Sequence, residues 1–392
     1  MMSGPELITL GCRLNIAESE RMRGMLSGED NLVVINSCAV TSEAVRQTRQ
    51  AIRKARKARP DARLLVTGCA ADIEREQIAD MPEVDGLIAN EAKLDPRAWN
   101  VPMEVPPLPP TRTRAFIAIQ NGCDHACTFC VIPQGRGQSR SMTVDAVKRE
   151  VEQNLALGAQ EVVLTGVDVT SWGYDLPDKP PLGAMVGEIL DAFPELQRLR
   201  MSSLDGIEID EQLFELFAGE RRLMPHLHLS LQHGHDLILK RMKRRHLRND
   251  AVDLVAKLKR RRPEIAIGAD LIAGFPTETE EHHQANLSII RECDIVHGHI
   301  FPYSPRPGTP AARMPQLDRS AIKARASELR AAVSDVRSQW LQSLVGKQLS
   351  VLAERDGTGY APNFARVSVP QGIAAGQIAT ISPDEVIEGM LV

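Results

Sequence analysis

Apolar positions along the chain follow two alternating periods. Short continuous apolar runs at residues 7–10, 32–35, 64–67 and 86–89 read as buried strands, and helical spacing fills 18–26, 42–59 and 72–78 between them. Strand and helix in alternation predict a small parallel α/β domain over residues 1–100. The alternation resumes on a larger scale after residue 113. Strands are expected at 115–120, 161–166, 199–203, 227–232, 266–273 and 296–303, with helices at 144–156, 185–192, 210–217, 251–260 and 278–292. Six βα units predict an open, partial (β/α)6 barrel over residues 113–344, closing with a helix at 320–344. Catalysis in such a fold belongs at the C-terminal ends of the strands.

Two stretches break this pattern. Residues 101–112 hold Pro102, Pro106, Pro107, Pro109 and Pro110, which predict a semi-rigid linker. Residues 345–392 carry short β-like runs at 349–354, 364–369 and 377–382 separated by glycine, and predict a small all-β domain. The whole is then an α/β protein of 392 residues with an all-β tail.

Composition narrows the function classes. A net charge of −4 excludes a polycation but not a local basic surface. Residues 46–63 contain eight Lys or Arg against Asp61 alone, residues 240–248 six, and residues 257–262 five. Such stripes would track phosphates, or else form solvated helix faces. Aromatic residues at 4% exclude a broad base-stacking platform. No run of 18 apolar residues exists and residues 1–6 lack signal-peptide character, so a cytoplasmic setting with reduced thiols is expected.

The seven cysteines carry the chemistry. Cys123, Cys127 and Cys130 form C-x3-C-x2-C on one loop after a strand. Three thiolates there hold three irons of a [4Fe–4S] cube and leave the fourth iron open to a substrate. The competing reading is zinc on the three cysteines and His125. Cys12, Cys38 and Cys69 each lie just past a predicted parallel strand, so the sheet edge would bring them together as a second cluster site. Cys293 sits in a helical pattern and reads as core.

C-x3-C-x2-C matches the signature of the radical S-adenosylmethionine (SAM) superfamily. Thr9-Leu10-Gly11-Cys12, Asn36-Ser37-Cys38-Ala39-Val40-Thr41 and Thr67-Gly68-Cys69 resemble its methylthiotransferases. Residues 227–234, 240–245, 270–278 and 301–309 resemble the MtaB branch of that family, and the tail resembles a TRAM RNA-binding domain. The resemblance implies a tRNA methylthiotransferase that converts N6-threonylcarbamoyladenosine to its 2-methylthio derivative beside the anticodon. It implies two [4Fe–4S] clusters, SAM, a tRNA anticodon loop and an external electron donor, acting as a monomer. The Cys123/Cys127/Cys130 cluster would cleave SAM to a 5′-deoxyadenosyl radical, and the Cys12/Cys38/Cys69 cluster would present sulfur. The isopentenyl-adenosine (MiaB-like) and ribosomal-protein aspartate (RimO-like) branches share this chemistry. A non-catalytic zinc and RNA-binding protein is the reading from a different class.

Six further residues are candidates for SAM contact: Phe129, Gly166, Asp168, Ser203, Gln232 and Pro302. All but Phe129 lie at predicted strand ends. His226/His228, His233/His235 and His297/His299 alternate along predicted strands, which reads as one strand face for each pair or as metal ligands.

Overall fold

A computed structural model describes residues 5–103 and 112–392. Most of the proline-rich stretch expected over 101–112 lies outside the described residues. The chain runs β1 (Glu6–Thr9), α1 (Arg13–Met25), β2 (Leu32–Ser37), α2 (Ser42–Ala58), β3 (Arg63–Gly68), α3 (Cys69–Ile73), α4 (Arg75–Ala79) and β4 (Gly86–Leu87). It continues through β5 (Arg114–Ala118), β6 (Gln120–Asn121), α5 (Ile132–Arg136), β7 (Arg140–Ser141), α6 (Val144–Ala156), β8 (Glu161–Thr165), α7 (Leu182–Ala192) and β9 (Arg198–Met201). Then follow α8 (Glu211–Gly219), β10 (His226–Gln232), α9 (Asp236–Arg241), α10 (Arg248–Arg261), β11 (Ala266–Ala273), α11 (Glu280–Glu292), β12 (Ile295–Pro302) and α12 (Arg319–Gln342). The tail holds β13 (Leu349–Ala353), β14 (Thr358–Tyr360), β15 (Arg366–Ser368), β16 (Ile378–Ile381), β17 (Val386–Ile387) and β18 (Met390–Leu391).

The chain divides into two compact units that interleave in sequence. One takes residues 1–111, 120–140 and 304–312; the other takes 112–119, 141–303 and 313–392. In the first unit, β1, β2, β3 and β4 form a parallel sheet in that order. Strand β2 is buried along its whole length, which explains its unbroken apolar run. Helix α1 begins at Arg13, not at residue 18 as the apolar spacing suggests. Its first turns bury Asn15, Glu18 and Ser19, and polar residues facing inward conceal the helical period. The single helix expected over 72–78 is two short ones, broken at Glu74.

In the second unit, the parallel sheets β5-β8-β9 and β10-β11-β12 form the partial barrel. Paired backbone bonds join them across the gap: Leu204 N–H donates to His228 O at 2.8 Å, and Ser230 N–H to Leu204 O at 2.8 Å. One large core packs the outward faces of these strands against the helices, with Leu227, Leu229 and Leu231 from β10 and Ile267, Ala269 and Leu271 from β11. The inward positions of β10 are His226, His228, Ser230 and Gln232, so the lumen is polar.

The tail forms a sheet ordered β16-β13-β14-β15-β18-β17. It closes the N-terminal mouth of the barrel. Glu161, Arg198 and His226 are the first residues of their strands, and Arg200, two residues into β9, joins them there. Arg200 pairs with Glu161 at 2.8 Å, both side chains 0% exposed. Arg198 donates to the carbonyls of Tyr360 (3.0 Å) and Ser350 (2.7 Å), and Arg200 to that of Pro362 (3.1 Å). Phe364 stands on Arg200, 4.7 Å from guanidinium to ring centre, beside His226 at 5.0 Å and Tyr360 at 4.6 Å.

Candidate active site

The early cysteines sit where three parallel strands end. Register places Thr9, Asn36 and Thr67 level across β1, β2 and β3. Cys12 caps α1, Cys38 follows β2, and Cys69 opens α3, so one sheet edge carries all three. Two glycines allow the approach. Gly11, at φ +91°, lies where an added Cβ would sit 2.8 Å from Cys38 Sγ. Gly68, also at +91°, lies where one would sit 2.5 Å from Ser37 O. Ser37 fixes the start of α3: its hydroxyl donates to Thr67 O at 2.6 Å and accepts from Ala70 and Ala71 N–H.

The three thiols interact. Burial pushes the Cys38 thiol up to about 11, and neighbouring Cys12 and Cys69 add to the shift. Burial also raises Cys69, against the opposing pull of Arg136. Burial of Cys38 and Cys69 disfavours their free thiolates, and a cationic iron core would offset that cost by taking the thiolates and releasing protons.

The later cysteines occupy a loop of the same unit. Gly122, at φ +78°, is required there, because a Cβ would fall 1.8 Å from Gln138 O. Cys123 N–H donates to Gly137 O at 3.1 Å, closing the loop. Backbone N–H groups of His125 and Ile132 point at the sulfurs of Cys123 and Cys130, each at 3.4 Å. N–H···S bonds of this kind favour the thiolate form that a cluster needs. Residues 304–312 clasp the loop to the sheet. Ala311 N–H donates to Thr128 O at 2.9 Å, Arg306 reaches Glu74 at 3.2 Å, and Ser304 meets Ser42 at 2.7 Å.

Beside the early trio lies a buried charge cluster. Glu18 accepts from Lys93 Nζ at 2.6 Å and, through both oxygens, from Arg136 at 2.9 and 3.1 Å. Lys93 and Glu18 are each 1% exposed. Asn15 and Asn121 accept from the Arg136 guanidinium, and Asn36 from Lys93 at 3.2 Å. Arg136 closes the helix that follows the Cys123–Cys130 loop. The preceding Gly135 packs on the Cys69 backbone, where a Cβ would stand 3.4 Å from its Cα, and Asn90 donates to Gly135 O. Spacing could not reveal this cluster, since Glu18 and Arg136 are 118 positions apart. The one local signal is the polar face of α1 at Asn15, Glu18 and Ser19.

The second unit carries the other candidates. Gly166 and Asp168 follow β8, Ser203 follows β9, Gln232 ends β10 at a bulge with φ +67°, and Pro302 ends β12. Asp168 accepts from the Ser171 hydroxyl at 2.7 Å and from Thr170 at 3.3 Å. Phe129 lies in the cluster loop of the first unit. His226/His228 share a face of β10 and His297/His299 a face of β12, and these pairs meet across strands, whereas His233 and His235 lie past the end of β10 and on no strand. His228 Nε2 and His299 Nδ1 each lie 3.0 Å from Asp270 Oδ1, in the lumen. His233 is a buried pin on Glu278 at 3.3 Å. His235 caps α9.

The basic runs are less open than their composition suggests. Arg244 binds Asp205 at 2.6 Å, Arg248 reaches the Gly234 and Ala285 carbonyls, and buried Arg262 ties three carbonyls between α8 and β10. Lys240, Lys243, Arg53, Lys54 and Lys57 stay exposed. Among the described residues, no helix is long and apolar enough to cross a membrane.

Comparison with known proteins places this architecture. Residues 117–288 match the model of the radical SAM superfamily, and residues 6–89 that of uncharacterized protein family UPF0004. The threonylcarbamoyladenosine tRNA methylthiotransferase MtaB of Rickettsia prowazekii is 44% identical over 95% of this chain and 93% of its own. The chain belongs to the MtaB family. The Thermotoga maritima MtaB is 32% identical over 88% of this chain and 85% of its own. A tRNA-2-methylthio-N(6)-dimethylallyladenosine synthase of Paracoccus denitrificans is also 32% identical, over 89% and 85%. The MtaB fold is shared with the radical SAM methyltransferase TsrM of Kitasatospora setae, at TM-score 0.55 and 16% identity over 79% of this chain and 75% of that one. As a radical SAM methylthiotransferase of the MtaB family, the chain takes SAM and an iron–sulfur cluster.

Proposed function

We propose that this protein converts N6-threonylcarbamoyladenosine in tRNA to 2-methylthio-N6-threonylcarbamoyladenosine, using two [4Fe–4S] clusters. The observation that supports the two-cluster reading is that both cysteine trios belong to one compact unit, one on the sheet edge and one on the loop clasped to it. Cys123, Cys127 and Cys130 would hold the cluster that binds SAM, and Cys12, Cys38 and Cys69 the one that provides sulfur. When bound, these groups supply a 5′-deoxyadenosyl radical to activate C2 of the adenosine and a sulfur to be methylated and transferred.

The chain's own residues position and shield. Gly122 and the Gly137 carbonyl close the loop that carries the three cysteines. The clasp at residues 304–312 keeps loop and sheet edge at fixed separation. Gly166, Asp168, Ser203, Gln232 and Pro302, at the strand ends, are the proposed contacts for SAM, with Phe129 beside the cluster. The strand ends leave these groups at the mouth where ligands bind in such folds. Exposed Lys54, Lys57, Lys240 and Lys243 are the proposed phosphate contacts.

Anaerobic reconstitution and nucleoside mass spectrometry test the reading. About eight irons per chain are expected, from two four-iron clusters. The 2-methylthio nucleoside should appear when the protein is supplied to a strain lacking the activity. Four irons, or growth of the dimethylallyl derivative in its place, would refute it.

A further inference from the structure

The buried cluster of Glu18, Lys93 and Arg136 holds two cations and one carboxylate. Burying unbalanced charge is costly, and a group so placed ordinarily has a partner. Asp72, the next carboxylate, is partly exposed and faces Arg75 at 3.8 Å. The other negative charges that bear on Arg136 most strongly come from Cys69 and Cys12, and Cys69 also bears on Lys93. Three thiolates around an iron–sulfur core carry net negative charge, which grows by one on reduction. The missing anion of this cluster is therefore the loaded cysteine site itself.

We infer that Lys93 and Arg136 are positioning residues that hold a standing positive charge against the cluster on Cys12, Cys38 and Cys69 and set its reduction potential. This rests on the two-cluster reading above. Arg136 brings its charge from the segment that follows the Cys123–Cys130 loop, so closing that loop also completes the electrostatic seat of the other cluster. Lys93 arrives separately, after β4, where its own carbonyl accepts from Trp99 Nε1 at 2.9 Å. Positive charge close by favours the reduced, more anionic state and raises the potential.

The sign is what the experiment reads. Reconstituted full-length protein is titrated anaerobically and followed by electron paramagnetic resonance. Added SAM identifies the signal of the Cys123/Cys127/Cys130 cluster by perturbing it, and the unperturbed signal is the second cluster. Lys93→Met should lower the second cluster's midpoint potential, and Glu18→Gln should raise it. Neither should move the first cluster as far. Arg136→Lys should hold all eight irons and stay near wild type, while Arg136→Met should lower the potential or lose the second cluster. An unmoved potential in Lys93→Met and Glu18→Gln, with eight irons bound, would overturn the inference and leave the two-cluster reading intact. Equal iron loss in Arg136→Lys and Arg136→Met would also overturn it, since shape and not charge would then matter. Four irons in the wild type would bring down both.

Discussion

At the scale of single residues, the site depends on glycines as much as on cysteines. Gly122 has no room for a methyl group, because Gln138 O occupies the space 1.8 Å away. Gly122→Ala should therefore open the loop and abolish SAM cleavage, while the irons on the sheet-edge trio remain. Iron analysis beside a 5′-deoxyadenosine assay checks this. Cys127→Ala should likewise stop cleavage, whereas Cys38→Ala should spare cleavage and stop formation of the methylthio product. The six cysteines were legible in sequence because a short spacing, or a repeated place after a strand, marks them. Glu18, Lys93 and Arg136 were not. Each looks like an ordinary surface charge until folding brings three distant segments together.

Elements show the same division between local and distant causes. Strand β11 and helix α6 match the pattern residue for residue, since β11 is buried along nearly its whole length and α6 buries one apolar stripe at Val147 and Val151. Helix α1 starts at Arg13, ahead of the apolar spacing that begins at residue 18, and helix α9, at six residues, is short for a readable period. The basic stretch at 240–248 looked like a phosphate track, yet Arg244 and Arg248 spend their donors on Asp205, Ser230 and carbonyls of the barrel. The clasp at residues 304–312 works at this scale too. Arg306→Ala removes a buried cation from Glu74 and should cost about 1–3 kcal/mol. Thermal unfolding should report that loss, with weaker retention of the loop cluster.

The whole molecule depends on its tail being in place. Phe364 and the carbonyls of Ser350, Tyr360 and Pro362 cap charges that belong to the barrel. Arg200→Met would leave Glu161 with the longer Arg198 pair at 3.7 Å and the field of Arg114, and should cost roughly 3–5 kcal/mol. Acid should attack this seam first. Burial pulls His297 down to about 3, with Arg337 adding, and Glu161 is held below its usual range against burial by Arg200, Arg114 and Arg198. In both cases the unfolded chain binds the proton more readily. Stability is therefore full above about pH 6.5, where even an unfolded histidine is neutral, and falls as pH drops toward 4. Melting curves at stepped pH should show this, and His297→Phe should flatten the upper part of the slope.

The order of synthesis makes that dependence temporal. A ribosome releases the barrel strands long before residues 350–364, so Glu161 and its arginines stay wet until those residues emerge. The first unit waits as well, since its final piece is residues 304–312. A nascent chain stalled before residues 304–312 have emerged thus exposes both a half-built cysteine site and an unsealed barrel, and the first unit becomes competent to receive metal only once that segment is in place.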